Sequence, residues 1–472
     1  MKKEHAGSKI EIFENKPIWQ ALAIMAIPTV ISQLITLVYN IADTWFIGQT
    51  NNPYMVAASA LVATIFLMAT AIANLFGVGG GNLVVRLIGS GQQEEAKKVA
   101  SWSLVMSAIS ALAFSLLCLI FMNPLLRALG ASDNTIGYAR QYLFFVVIIG
   151  ALPTILSNTM SSMLRNVGYS KEAAFGLGFG GILNVFLDPL FMFVLMPEGY
   201  EVMGAAIATM LSNVIAMLYY IYIYHKVQKE TILALPRKLE KILPESVKSV
   251  FSVGVPSAVS LLLYDLTNMV INMLSSSHGD LELAAMGIVL KVERLPLNIG
   301  IGICIGMMPL VAYNYAAKNK KRMQGFFSAA RIAGLAVSIG SVILYRFAAP
   351  YIMSAFIDEA ETVRLGTTFL QARCFATPFM FLSFHVVHYM QAVDEGKISF
   401  CFAVIRQLGL NIPILLLLNA IFGMTGIIWT QLTADVINVI ISYVIYARVM
   451  KKDKFQLCAQ RRAINQTGEN PV

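Results

Sequence analysis

The chain of 472 residues is 57% hydrophobic and 13% charged, carries a formal net charge of +9 and has a mean hydropathy of +0.69. A soluble domain carries about 25% charged residues, which it needs to cover its surface. The composition therefore excludes an ordinary soluble enzyme or binding domain, and it predicts an integral membrane protein whose surface mostly faces lipid.

Twelve stretches of the chain are long and apolar enough to cross a bilayer, which takes about 20 helical residues. Lipid offers no hydrogen-bond partners to free backbone groups, so these stretches are predicted to be helices. They are too long and too uniformly apolar for the alternating strands of a membrane barrel. The predicted spans are 17–47, 55–85, 99–121, 136–156, 173–195, 203–224, 247–275, 283–315, 326–347, 363–390, 398–421 and 424–450.

Lysine and arginine are distributed unevenly among the connections between these spans. If the N-terminus lies inside, the inside segments hold 26 of them and the outside segments hold four, at positions 127, 140, 346 and 364. Basic residues concentrate in cytoplasmic loops, so both termini of this multi-pass protein are predicted to be cytoplasmic. The positive charge then reflects orientation in the cell inner membrane, and no nucleic-acid partner is predicted. Residues 1–16 show no cleavable signal peptide.

The chain repeats its proline and asparagine spacing after the midpoint. The first half opens on Pro28 and reaches Asn40 twelve residues later, and the second opens on Pro256 and reaches Asn268 after the same interval. Each half has an even number of spans, so the halves are predicted to be parallel repeats, an arrangement common in transporters. The predicted organisation is a cytoplasmic segment 1–16, an N-lobe 17–225, a cytoplasmic linker 226–247, a C-lobe 248–450 and a cytoplasmic tail 451–472.

Polar side chains inside the N-lobe spans are the first chemical signal, since an ionisable residue in a span costs at least about 2.5 kcal/mol. Span five carries Asn184 and Asp188 one helical turn apart. Carboxylate and amide oxygens suit a proton or a hard cation such as sodium. A structural role for Asp43, as a helix cap near the outer interface, stays open. Span one carries polar residues along one face: Ser32, Thr36, Asn40 and Asp43.

The C-lobe spans combine acids, bases and histidines. The pair His385 and His388, one turn apart, suits a proton relay or internal hydrogen bonds, and a metal site is a further alternative that lacks a third ligand. Lys291 and Glu293 do not face each other on a helix, so each is expected to pair with another span, for example with Asp265. The five cysteines show no zinc-like spacing, and neither a metal nor a cofactor is predicted. The other polar residues noted here are Asn268, Asn272, Arg294, Arg373, Arg406 and Asp435.

Several motifs in a fixed order resemble the MATE (multidrug and toxic compound extrusion) family along nearly the whole chain. In the first half they are Pro28 with Ala42-Asp43-Thr44 and Gly48, the glycine-rich segment 77–91, Asn184-Val-Phe-Leu-Asp188-Pro189, and Gly204-Ala-Ala-Ile-Ala-Thr209. In the second half they are Pro256 and the segment 309–319. The resemblance is strongest to the DinF-like branch of the family.

The resemblance implies a secondary active exporter that antiports small organic compounds, often cationic and lipophilic, against H+ or Na+. It also implies two six-helix bundles in a V around a central cavity, alternating access, and function as a monomer among membrane lipids. By motif, Asp43, Asn184 and Asp188 match the family's cation site, Thr209 matches a threonine that joins this site in relatives, and Asn40 lies on the same face as Asp43. Residues expected to line the substrate cavity are Gln33, Thr36, Asp265, Asn268, Asn272, Glu293, Arg294, His385 and His388.

One departure from the family pattern concerns the second lobe. Some relatives carry an acidic residue eight positions after the proline of span seven, where this chain has Tyr264, and Asp265 follows one position later. One residue turns a side chain by about 100° on a helix. The sequence therefore leaves open whether Asp265 is equivalent to the acidic residue of those relatives. Two alternatives to the exporter remain: a flippase of lipid-linked oligosaccharides from a related fold, and a membrane enzyme or receptor. For the enzyme, no nucleophile with a base and no phosphate-binding loop is apparent.

Overall fold

The computed structural model describes residues 9–236 and 241–451, and this part of the chain is helical without strands. Parts of the predicted N-terminal segment, linker and tail, namely residues 1–8, 237–240 and 452–472, lie outside the described residues. The long helices are α1 (Ile18–Gly48), α2 (Pro53–Gly89), α3 (Gln93–Ile120), α4 (Ile136–Ile149 with Ala151–Asn166), α5 (Ser170–Leu195), α6 (Glu201–Val227), α7 (Pro244–Ser276), α8 (Asp280–Ala316), α9 (Lys320–Ser354), α10 (Ala360–Arg373 with Thr377–Ala392), α11 (Gly396–Phe422) and α12 (Met424–Lys451). This multi-pass helical architecture is the predicted fold class.

The number of continuous spans differs from the predicted twelve. Among the described residues, ten helices are long and apolar enough to cross a membrane, and an eleventh results if the two parts of α4, bent by 46°, count as one span. The difference is α10, whose two parts have 14 and 16 residues and are joined by the 3-10 turn Cys374–Ala376. Its first part carries Glu361, Arg364 and Arg373, so it is short and polar where the prediction assumed one continuous apolar helix.

Prolines account for the irregular turns inside three of the helices. A proline lacks the N–H that an α-helix needs and clashes with the preceding turn. Pro153 follows a π-helical segment, Phe144–Ile149, in α4, and Pro413 follows another, Ile405–Asn411, in α11. In α5 the π-helical segment Leu190–Leu195 begins directly after Pro189. The helix α1, by contrast, runs unbroken through Pro28.

The two halves of the chain meet where α2 packs against α7 and α1 packs against α8. Glycine makes this approach close: a Cβ at Gly79 would lie 2.3 Å from the carbonyl oxygen of Val250, and one at Gly254 would lie 2.1 Å from that of Leu75. Gly302 and Gly306 of α8 face Val30 and Ala26 of α1 in the same way. These contacts lie in the first half of α1 and α7 and in the second half of α2 and α8, at the end of the molecule that holds residue 9.

A partly buried polar cluster closes that end. Arg86, near the end of α2, places Nη1 2.5 Å from Oδ2 of Asp394 and donates from Nη2 to the hydroxyl of Ser249 at 2.7 Å. The same hydroxyl donates to Oδ1 of Asp394 at 3.1 Å. Arg86 comes from the first half of the chain and its two partners come from the second, so the cluster links the predicted lobes.

The residues before α1 form a second link at the same end. Arg322 of α9 donates to the carbonyl oxygen of Phe13 at 2.7 Å, and Asn314 donates to the same oxygen at 3.1 Å. On the other side, the ammonium of Lys9 lies 4.5 Å from the ring centre of Tyr169, which precedes α5. The segment therefore bridges the two halves beneath the membrane-spanning helices.

At the opposite end the same helix faces are exposed. Because eleven residues make about three turns, Asp265 returns to the face on which Gly254 contacts α2, and Asn272 returns to it two turns later. Asn272 is exposed, and Asn40 on the α8-facing side of α1 is exposed as well, as is Met68 of α2. The helices that touch at one end therefore diverge at the other and leave a cleft that opens there.

Candidate functional site

Four N-lobe helices bring polar groups together beside the cleft. Asp188 of α5 is fully buried, and its Oδ1 accepts from Nδ2 of Asn184 at 3.1 Å. The same amide donates to Oγ1 of Thr209 on α6 at 3.3 Å. Asp43 of α1 is half-buried, and the hydroxyl of Tyr142 on α4 donates to its Oδ2 at 3.4 Å. The two carboxylates lie close enough for their charges to interact. We refer to these five residues as the N-lobe acid site.

Buried oxygens without partners distinguish this site. Within the described part of the chain, Asp43 Oδ1, Asn184 Oδ1 and Asp188 Oδ2 are inaccessible and accept no hydrogen bond. Buried acceptors are normally paired, because an unmade hydrogen bond costs about 1–3 kcal/mol. None of the ion pairs among the described residues includes either aspartate. Unpaired carboxylate and amide oxygens of this kind suit a proton or a hard cation.

The local sequence explains how the acids meet. Asn184 and Asp188 lie four residues apart, so they share one face of α5. That face approaches α1 closely, since a Cβ at Gly181 would lie 2.7 Å from a ring carbon of Tyr39. Tyr39 lies one turn before Asp43 on α1. The small residue on α5 therefore lets α1 pack near enough to place Asp43 beside Asp188.

The structure places other predicted residues of α1 differently. Asn40 is exposed, and its Nδ2 donates to the carbonyl oxygen of Thr36 at 2.8 Å. Gln33 and Thr36 are half-buried, and a role for them or for Asn40 in binding stays a prediction. Tyr142 was missed because nothing in the sequence near 142 indicates that α4 reaches α1. Only the packing of the bundle reveals it.

Two of the C-lobe ion pairs are buried and bidentate. Arg373 donates to both carboxylate oxygens of Glu293 at 2.9 Å, which confirms the expectation that Glu293 pairs with another helix. Arg406 donates to both oxygens of Asp435, at 2.7 and 3.3 Å, and Gln431 also donates to that carboxylate. Each pair joins two helices and satisfies its own charges, so both pairs belong to the C-lobe core.

A third ion pair that joins two C-lobe helices lies on the cleft. Arg294 donates from Nη2 to Oδ1 of Asp265 at 3.0 Å, and the two side chains are 43% and 29% exposed. The expectation that Asp265 pairs with Lys291 or Glu293 is therefore corrected: one step along α8 turns Arg294 toward α7 and Glu293 toward α10. Asn268 and Asn272 share the face of Asp265.

Three predicted cavity residues lie away from this face. Glu293 is buried in its pair with Arg373. His385 is fully buried, stacks on Phe327 with ring centres 4.1 Å apart, and donates from Nε2 to that residue's carbonyl oxygen at 3.0 Å. His388 donates from Nδ1 to the carbonyl oxygen of Phe384 at 2.7 Å. The histidines thus make internal hydrogen bonds, and the described residues contain no group of metal ligands around them.

The buried pair of Glu293 and Arg373 gives a stability prediction. We expect Glu293→Gln to lower the free energy of unfolding by about 3 kcal/mol, because the guanidinium would remain buried without its counter-charge. The measurement is the melting temperature of the purified protein in detergent, followed by intrinsic fluorescence. Glu361→Gln is the matched control, since Glu361 forms an exposed pair with Arg364 and its loss is expected to change the melting temperature little. Equal shifts in the two variants would contradict the structural role.

Comparisons with known proteins agree with this geometry. The chain is 28% identical over 425 residues to the multidrug export protein MepA of Staphylococcus aureus (strain MSSA476), covering 90% of this chain and 92% of that protein. It shares its fold with an outward-facing multidrug resistance MATE family transporter of the MOP superfamily (TM-score 0.86, 22% identity, 94% and 98% covered). A MOP superfamily transporter from Pyrococcus furiosus matches similarly (TM-score 0.84, 22% identity, 94% and 99% covered). The model of the MatE family matches residues 28–190 and 256–417, more than half of the chain, and the protein therefore belongs to the MatE family.

Proposed function

We propose that this chain is a secondary active multidrug exporter, which moves small organic compounds out of the cell against an inward flow of H+ or Na+. The observation that carries the proposal is the N-lobe acid site, where two carboxylates form no ion pair with any described residue and present unpaired buried oxygens beside a cleft. The name of the staphylococcal relatives, multidrug export protein, supports the same activity. The substrates are small, often cationic and lipophilic molecules that enter the cleft between the lobes.

Coupling follows from the charge on the N-lobe acid site. Two nearby carboxylates repel each other when both are ionised, so binding of a proton or a cation there relieves the repulsion. A bound drug and a bound ion then favour different arrangements of the same helices, and this difference in affinity links their movements. Pro28 supplies a point at which α1 can bend, because the helix lacks one backbone hydrogen bond there.

Further parts of the proposal concern branch, orientation and assembly. The spacing of Asp43, Asn184 and Asp188 supports a place in the DinF-like branch of the family. The basic connections support cytoplasmic termini, so the closed end is the cytoplasmic end and the cleft opens outward. The two lobes, 17–225 and 248–450, would enclose the substrate path without a second subunit, so the chain is proposed to act as a monomer.

Efflux from proteoliposomes tests the function. Purified protein is reconstituted with a fluorescent lipophilic cation, and proton and sodium gradients are imposed separately. We expect one of the gradients to drive dye across the membrane and to do so only in vesicles that contain the protein. Absence of gradient-driven transport with either ion, for a panel of lipophilic cations, would overturn the proposal.

A further inference from the structure

Among the described residues, three ion pairs each join two helices of the C-lobe, and they differ in their exposure and in their number of hydrogen bonds. The pairs Glu293–Arg373 and Arg406–Asp435 are bidentate, and all four residues are nearly inaccessible. The pair Asp265–Arg294 has one hydrogen bond, and both side chains are partly exposed. A buried pair is costly to open, whereas a pair in contact with water contributes little to stability. The cleft pair is therefore the one that a ligand can open.

The position of this pair relates it to the cleft. Asp265 lies on the face of α7 that contacts α2 farther along the helix, and Asn268 and Asn272 continue that face into the exposed region. Arg294 reaches the same face from α8. Arg406, which belongs to one of the buried pairs, borders a small cavity that is lined also by Ser260 and Phe384. The cleft wall on this side thus offers one anionic and one cationic group next to each other.

The opposite wall has a different charge. The N-lobe acid site places the half-buried Asp43 there, with the fully buried Asp188 in the same site, and among the described residues neither forms an ion pair. A ligand in the cleft therefore lies between the carboxylate of Asp43 on one side and the guanidinium of Arg294 on the other.

We infer that the pair Asp265–Arg294 is a binding subsite for zwitterionic amphiphiles, in which the ligand's carboxylate binds Arg294 and its cationic group lies against Asp265. The inference rests on the proposed export function and specifies one substrate class for it. Opening the pair around such a ligand replaces one charge contact by two, so no charge is left unpaired. Guanidinium binds carboxylate with two parallel hydrogen bonds, and Arg294 uses only Nη2 toward Asp265.

Two dyes that differ in a single ester group test this subsite. A rhodamine free acid is zwitterionic at neutral pH, and its methyl ester is a cation with the same ring system. Binding of each dye to the purified full-length protein in detergent is measured by fluorescence anisotropy, without any ion gradient. For Arg294→Gln we expect the dissociation constant of the free acid to rise about tenfold and that of the ester to change little.

A reciprocal variant and two controls make the outcome specific. Asp265→Asn is expected to weaken binding of the ester more than binding of the free acid. The ratio of the two dissociation constants therefore changes in the direction opposite to that in Arg294→Gln. Arg294→Lys restores part of the free-acid binding because it restores the charge. Lys291→Gln removes an exposed positive charge from the same helix and is expected to leave the ratio unchanged.

Several results would overturn the subsite. The first is an equal rise in the dissociation constants of both dyes in Arg294→Gln. The second is a change in their ratio in Lys291→Gln as large as that in Arg294→Gln. The third is failure of the wild-type protein to bind the free acid. The ratio of dissociation constants is measured without transport, so the proposed subsite can be contradicted while gradient-driven export is still observed. Likewise, loss of export with an intact ratio would contradict the proposed coupling and leave the subsite standing.

Discussion

Asp188→Asn is expected to reduce gradient-driven drug export by at least about tenfold while the folded protein remains in the membrane. Asparagine keeps the shape of the side chain and an oxygen that can accept the hydrogen bond from Asn184. It cannot take up a proton or balance a cation, so movement of the drug is no longer linked to the ion. Asp43→Asn is expected to have the same effect, because Asp43 completes the acid pair.

The measurements for these variants are the drug susceptibility of a sensitive host and dye efflux from proteoliposomes. Protein amount is compared on immunoblots of membranes, and monodispersity is checked by size-exclusion chromatography. Asp133→Asn is the matched control, since Asp133 lies in the connection before α4 and pairs there with Arg127. Export at the wild-type rate by both acid-site variants would contradict the assignment of coupling to the N-lobe.

The fold class and the family are confirmed from sequence signals that depend on local pattern alone. The length of an apolar stretch is enough to predict a membrane span, because lipid imposes the same minimum length on each helix separately. The motifs around Pro28 and Pro256 recur in order, and the family model begins at the same two prolines. The polar spacing of Asn184 and Asp188 also follows from one helix, and the structure shows the hydrogen bond between them. Such features need no knowledge of neighbouring helices.

Partners on different helices could not be predicted in this way. Lys291, Glu293 and Arg294 are nearly adjacent in sequence, yet Glu293 pairs with Arg373 and Arg294 pairs with Asp265. Which of them faces α7 depends on the rotation of α8 about its axis, at about 100° for each residue. That rotation is set by the close contact of Gly302 with α1. The contribution of Tyr142 was missed for the same reason.

The contact between Gly79 and Gly254 gives the second large effect. We expect Gly254→Val to push α7 away from α2, because the new Cβ would meet the backbone carbonyl of Leu75, which no side-chain rotation can relieve. The arrangement in which the end that holds residue 9, proposed to be cytoplasmic, is closed would then lose stability relative to arrangements with that end open. The cleft would spend less time open to the outside, and export is expected to slow.

Labelling of a cysteine in the cleft measures this shift. The reporter is Asn272→Cys, in a background without the five native cysteines, treated from outside with a membrane-impermeant maleimide. We expect its labelling rate to fall about fivefold or more when Gly254→Val is added, in proportion to the lost population of the outward-open state. Gly254→Ala should give a smaller decrease. Gly287→Val is the matched control, since a Cβ there meets nothing within 4 Å. If labelling and export stayed unchanged in Gly254→Val, the closed end would not depend on the α2–α7 contact.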